Sequence, residues 1–141
     1  MKNRRISQGA KASQSGQVLE KDTASIMNAL GIDFESQVKF EDCYNNPRSK
    51  MDFYIPELDC AIECKRQNVS GTADQKLPFV WENLQKFPAK QGLVVLDGTH
   101  YLNRIGIHQY LNSKKSNSFD WCFVHQLGEW LDEQTENREA S

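Results

Sequence analysis

Apolar and polar positions change period several times along the chain, and each change predicts an element. From Gln17 to Leu30 the apolar residues Val18, Leu19, Ile26, Met27 and Leu30 recur at broadly helical spacing, and Gly31 is a natural stop. Phe34 to Phe40 alternates, with Val38 and Phe40 set against Gln37 and Lys39, as an edge strand would. The run Lys50-Met51-Asp52-Phe53-Tyr54-Ile55 and the run Cys60 to Lys65 both alternate, and Pro56 to Asp59 between them predict a turn, because proline cannot continue a central strand. Gly92-Leu93-Val94-Val95-Leu96 is uniformly apolar, which predicts a strand covered on both faces. Tyr101 to Leu111 reads as one helix with Leu102, Ile105 and Tyr110 near one face. Trp121 to Val124 reads as a final buried strand, and a short helix starts at Leu127. Thr72 with Gln75 suggests a capping box for a helix running towards Phe87, in which Pro78 predicts a kink or a later start. The order is α/β, with no internal repeat.

Strand parity then groups the chemistry. Side chains alternate faces with period two, so Cys60, Ile62 and Cys64 share one face, and Ala61, Glu63 and Lys65 share the other. Asp52 and Tyr54 oppose Phe53 and Ile55 in the same way. An antiparallel hairpin therefore brings Asp52 beside Glu63 on a face expected to be open. Two carboxylates there repel unless a cation sits between them, and hard oxygen ligands favour magnesium or manganese over zinc. The pattern alone is weak, because an acidic-x-Lys triplet occurs roughly once by chance in a chain of this size. A second one, Asp74-Gln75-Lys76, is present and reads as a decoy. A solvated hairpin with an exposed Glu63–Lys65 ion pair would carry the same residues.

Asp52 followed by Glu63-Cys64-Lys65, with Glu20 on the preceding helix and the segment Gln67 to Pro78 after it, resembles the PD-(D/E)XK nuclease superfamily from about Gln17 to Val124. The resemblance implies a restriction-endonuclease-like core, a mixed central sheet of order αβββαβ flanked by helices. It implies that Asp52, Glu63 and the Cys64 carbonyl are metal ligands and Lys65 the catalytic lysine, with Glu20 and Gln75 auxiliary. Met51 stands where the family motif often has proline. The implied activity is Mg2+-dependent hydrolysis of DNA, with Mn2+ able to substitute. Double-strand, site-specific cleavage of restriction or homing type is expected, by a homodimer or higher oligomer in a prokaryotic or phage setting. The alternatives are a structure-specific nuclease, such as a junction resolvase or recombination nuclease, and a non-catalytic DNA-binding subunit. Whether Lys65 acts as base, as orienter of water or as charge stabiliser stays open.

Composition adjusts this picture only at the ends. The 141 residues suit one domain, read as a basic flexible arm over 1–16, a nuclease domain over 17–131 and an acidic tail over 132–141. The net charge of −2 hides an asymmetry: Lys2, Arg4, Arg5 and Lys11 precede any acid, and acids dominate after Glu129. The arm can contact phosphates or be a solvated tail. Arg48, Lys50, Arg66 and Lys76 are further candidates for DNA contact. No apolar run reaches the length of a membrane span, and an intracellular, cytoplasmic protein is expected. Cys43, Cys60, Cys64 and Cys122 contain no CxxC pair and read as reduced, buried thiols. His100, His108 and His125 lack metal-ligand spacing, although His100 follows a strand end where it could reach a substrate. Trp81 and Trp130 read as core rather than as base-stacking platforms.

Overall fold

The computed structural model describes residues 8–68 and 73–140, and side chains outside 16–68 and 74–139 are not considered. Lys2, Arg4, Arg5, the side chain of Lys11 and the capping residue Thr72 thus lie outside the described residues. Ten principal elements follow in the order α1 (Gln8–Ala29), β1 (Glu35–Phe40), β2 (Ser49–Ile55), β3 (Cys60–Arg66), α2 (Ala73–Lys86), β4 (Gln91–Asp97), α3 (Thr99–Asn103), α4 (Ile105–Lys114), β5 (Phe119–Phe123) and α5 (Leu127–Ala140). Helix α1 starts inside the stretch expected as an arm, and α5 continues through the stretch expected as a tail.

The five strands form one sheet in the order β1-β2-β3-β4-β5. The first three pair antiparallel, and β3, β4 and β5 pair parallel. Parallel neighbours need crossovers, and the helices supplying them pack against the sheet. Leu77, Val80, Trp81 and Leu84 recur at helical spacing on α2 and join Tyr101, Ile107 and Leu111 in the core on that face. Leu19 and Met27 of α1 and Leu127 and Leu131 of α5 build the core on the other face, against Ile62, Cys64, Leu93 and Val95. The face expected to be open is therefore covered, since Ala61 is fully buried under the α2 layer. β4 is buried on both sides from Gly92 to Leu96, as its apolar run predicts.

Three other local expectations need correction. The helix expected from Tyr101 to Leu111 is two helices, because Arg104 adopts an extended backbone (φ −101°, ψ 88°). The break reorients the faces: Tyr101, Ile107 and Leu111 are buried, whereas Leu102 and Ile105 are 45% and 68% exposed. Of the two outcomes expected at Pro78, the later start is excluded, since α2 begins at Ala73 and carries Pro78 inside it, where the absent N–H would have met a carbonyl in the first turn. β5 begins at Phe119, lies at a sheet edge and leaves Trp121 half-buried.

The end of α1 follows its sequence closely. Gly31 takes a left-handed φ of +71°, its N–H donates to the Asn28 carbonyl, and the Ile32 N–H donates to that of Met27. This double closure satisfies two of the last carbonyls, and only glycine adopts that φ without strain.

One irregularity positions the site. Between the pairs Ser36↔Phe53 and Val38↔Met51, the residues Gln37 and Asp52 face each other without a ladder pair, and Gln37 has φ +52°. Phe53 and Ile55 pack on the α1 side, whereas Met51 packs on the α2 side. The β1–β2 hairpin therefore rolls over at Asp52, so the parity expected for a regular strand does not run through it.

Candidate active site

The β2–β3 pairing extends only from Ile55↔Cys60 to Phe53↔Ile62. Beyond it, the Asp52 carboxylate replaces the ladder, with Oδ2 accepting from the Cys64 N–H at 2.8 Å. The gap so opened is filled from three directions. Asp52 arrives from the corner of β2, and Glu63 from β3, hydrogen-bonded to Asp52. Glu20 comes from α1, one turn after Gly16, hydrogen-bonded to Asp52 and to Gln37, whose Nε2 donates to Glu20 Oε1 at 2.9 Å. Gln37 carries no sequence signal for this role, because a polar residue in an alternating edge strand reads as solvated.

Electrostatics follow from that crowding. Burial, then the charge of Glu63 and its hydrogen bond, push Asp52 up to about 7. Burial, then the hydrogen bond to Asp52 and its charge, push Glu20 up to about 7 as well. Glu63 is also raised, chiefly by burial, while Lys65 opposes the rise at both Glu20 and Glu63. Crowding of this kind favours the protonated carboxyls when no cation is bound. A divalent cation could take the place of those protons, and the donors present, two adjacent carboxylates with a strand carbonyl, suit a hard ion. Among the described residues no cluster of three or more His, Cys, Asp and Glu side chains is preassembled for a metal, so water or substrate oxygens would have to complete such a shell.

Glu63 and Lys65 line two adjoining cavities. The first, of about 370 Å³, is bounded by Gly16, Gln17, Glu20, Gln37, Asp52 and Cys64. The second, of about 180 Å³, is bounded by Phe40, Ser49, Lys50, Phe79, Val80 and Asn83. Glu63 thus sits where the two cavities meet, with Asp52 and Glu20 lining the first alone.

The other sequence candidates fall elsewhere. Gln75 is exposed in the first turn of α2, one turn before Phe79 on the same stripe, and lines neither cavity. The decoy aspartate is committed to other partners: Asp74 Oδ1 lies 2.7 Å from His100 Nε2, and Oδ2 lies 3.3 Å from Arg104 Nε. His100 is thereby tied to α2, His108 Nε2 meets the Tyr101 carbonyl at 2.6 Å, and His125 stacks on Phe123. Arg66 turns to Asp97, with Nε 3.2 Å from Oδ2, rather than towards the cleft. Lys50 borders the second cavity, while Arg48 and Lys76 are exposed. Cys60, Cys64 and Cys122 are buried free thiols, and Cys43 is half-buried. Trp81 is buried, and Trp130 is half-buried with Nε1 donating to Asp120.

A family model described as a PD-(D/E)XK nuclease superfamily domain matches residues 11–132. The chain belongs to the PD-(D/E)XK nuclease superfamily. No curated protein and no solved structure matches it. The mixed five-stranded sheet flanked by helices is the restriction-endonuclease-like core of that superfamily. Membership implies a nuclease domain acting on nucleic acid, in a superfamily that generally uses divalent metals. No helix among the described residues is long and apolar enough to cross a membrane.

Proposed function

We propose that this nuclease is a Mg2+-dependent endodeoxyribonuclease that cleaves double-stranded DNA site-specifically, with Asp52, Glu63 and Lys65 as its centre. The observation supporting this most strongly is the meeting of Glu20, Asp52 and Glu63 beside Lys65 where β2 leaves β3. Asp52, Glu63 and the Cys64 carbonyl would hold the ion, and Mn2+ offers the same hard-ligand chemistry. When bound, the ion supplies Lewis acidity towards a phosphoryl oxygen and acidity to a coordinated water.

The protein's own groups have separate tasks. The Cys64 N–H fixes the Asp52 carboxylate, and Gln37 fixes Glu20. Lys65 lines both cavities beside Glu63, and its ammonium would balance the negative charge that builds up on a phosphate bound there. In the reaction a water oxygen bonds to phosphorus while one backbone P–O bond breaks. The water loses a proton, and the departing oxygen gains one.

Residues 17–131 would form the nuclease domain, with Lys50, Arg48 and Lys76 and the basic start of the chain contacting phosphates. Cutting both strands needs two centres, which a twofold homodimer supplies. Reduced Cys60, Cys64 and Cys122 suit an intracellular setting. The test is incubation of the purified protein with plasmid, branched and single-stranded DNA, in Mg2+ or Mn2+ and then in chelator. Discrete plasmid fragments are expected, lost with chelator. Absence of cleavage of every substrate in both metals would remove the enzymatic reading, and cleavage of branched DNA alone would redirect it to a structure-specific nuclease.

A further inference from the structure

Tyr44 is 77% exposed, more than any other large apolar side chain among the described residues, yet it is held firmly. One ring face stacks on Phe79, with centroids 5.1 Å apart and planes 16° from parallel. Phe79 in turn lines the same cavity as Glu63, Lys65 and Lys50. The turn that carries Tyr44 is built around buried Asp42. Its Oδ1 accepts from the Tyr44 N–H at 2.8 Å and the Asn46 N–H at 3.0 Å, and its Oδ2 accepts from the Ser49 hydroxyl at 2.6 Å. Asn83 Oδ1, on α2, accepts from the Cys43 N–H at 3.0 Å and ties the turn to the helix. Asn45 is left-handed at φ +62°, a conformation this bonding supports.

An exposed aromatic ring, backed by a second ring that lines the cavity of Glu63 and Lys65 and carried on the segment that leads to Arg48 and Lys50, has the makings of a stacking platform. Bases stack on such rings whatever their identity, and adjacent cations hold the backbone. We infer that the outer face of Tyr44 receives an unpaired base next to the scissile phosphate. The inference rests on the nuclease reading and deepens it by naming the substrate feature: a nucleotide out of the helical stack, already unpaired or extruded on binding. A duplex has to unstack that nucleotide first, so a substrate with a ready-made unpaired base is preferred.

The experiment measures binding separately from cleavage. Fluorescein-labelled oligo(dT) and an abasic oligomer of equal length are titrated with the full chain in chelator, and anisotropy is read. Wild type should bind oligo(dT) more tightly than the abasic strand, by roughly five- to a hundredfold for one stacked base. Tyr44→Ala should erase the difference, and Tyr44→Phe should retain it, with thermal midpoints confirming that both variants fold. Equal binding of both strands by wild type, or an undiminished preference in Tyr44→Ala, overturns the platform. Cleavage in Mg2+ alongside either result would leave the nuclease reading standing; a base preference with no cleavage in any metal would do the reverse.

Discussion

Asp52 Oδ2 receives the Cys64 N–H at 2.8 Å, at the point where the β2–β3 ladder has already ended. One carboxylate oxygen thus serves the fold, while the same carboxylate also meets Glu63 and Glu20. Substitutions can separate the two jobs. Asn keeps an oxygen able to accept from Cys64 but loses the charge. Asp52→Asn should therefore fold, with metal-free stability at alkaline pH equal to or above wild type, and should lose about a hundredfold or more of turnover. Asp52→Ala should lose turnover too, and about 1–3 kcal/mol of stability, since the Cys64 N–H is left unsatisfied. Urea denaturation in chelator and plasmid cleavage in Mg2+ check both; an Asp52→Asn protein with full activity would exclude Asp52 from the metal set.

The same crowding makes the metal-free protein sensitive to pH. Asp52 rises from an ordinary 3.8, and Glu20 from an ordinary 4.5, each to about 7. Between those values the folded chain holds protons that the unfolded chain has released, so stability falls as pH increases. The contribution is fully present below about pH 4 and is lost above about pH 7. Asp42 runs the other way, lowered mainly by the Ser49 hydroxyl, so its contribution is lost only in more acidic solution. Denaturation in chelator should show lower stability at pH 8 than at pH 5, by on the order of a few kcal/mol, mostly from Asp52, because Glu20 is better screened by solvent. Adding Mg2+ at pH 8 should restore the difference. A flat profile would mean that the carboxylates do not crowd one another in solution.

Lys65 shares its strand face with Glu63 and borders both cavities. Lys65→Ala should reduce turnover about a hundredfold or more while leaving DNA affinity within a few-fold of wild type. Lys65→Arg keeps the charge but cannot act as a base at neutral pH. If charge balance is its task, the arginine variant should retain measurable cleavage, well above Lys65→Ala. Equal inactivity of the two variants would instead assign Lys65 to proton transfer or to a geometry that arginine cannot match.

The sequence disclosed elements better than it disclosed their convergence. Leu93 to Leu96 were legible as an uninterrupted apolar run, and the Met51–Lys65 hairpin by its alternation, because burial on two faces or on one marks each strand by itself. Glu20 came into view only through family resemblance, since nothing local distinguishes it from other polar helix residues. The roll of the hairpin was illegible because left-handed Gln37 has no compositional marker, unlike glycine at Gly31. Arg104 hid the break between α3 and α4 for a similar reason: arginine favours helices, and tertiary packing of Tyr101 and Ile107 overrode the preference. The early start of α1 had no apolar stripe to announce it, as Gln8 to Gly16 is almost wholly polar or small. The Tyr44–Phe79 stack joins residues 35 positions apart and exists only in the folded chain.

Gly98 provides a last test, of how the end of β3 is anchored. Its backbone, at φ +103° and ψ 149°, lies in a region that side chains avoid. A Cβ at that position would overlap the Gln67 carbonyl. Gln67 follows Lys65 by two residues and is pinned there, its N–H donating to the Asp97 carbonyl at 3.0 Å and its carbonyl accepting from the His100 N–H at 3.1 Å. Gly98→Ala must therefore displace Gln67 and pull on Lys65, or strain its own backbone. A loss of about 2–4 kcal/mol is expected, with turnover falling alongside stability. Gly106→Ala is the control, since it lies on α4 with no atom near enough to clash. There alanine favours the helix and should be neutral or stabilising by up to about 1 kcal/mol. Comparable stability of the two variants would show that the Gly98–Gln67 contact does not hold the strand end in place.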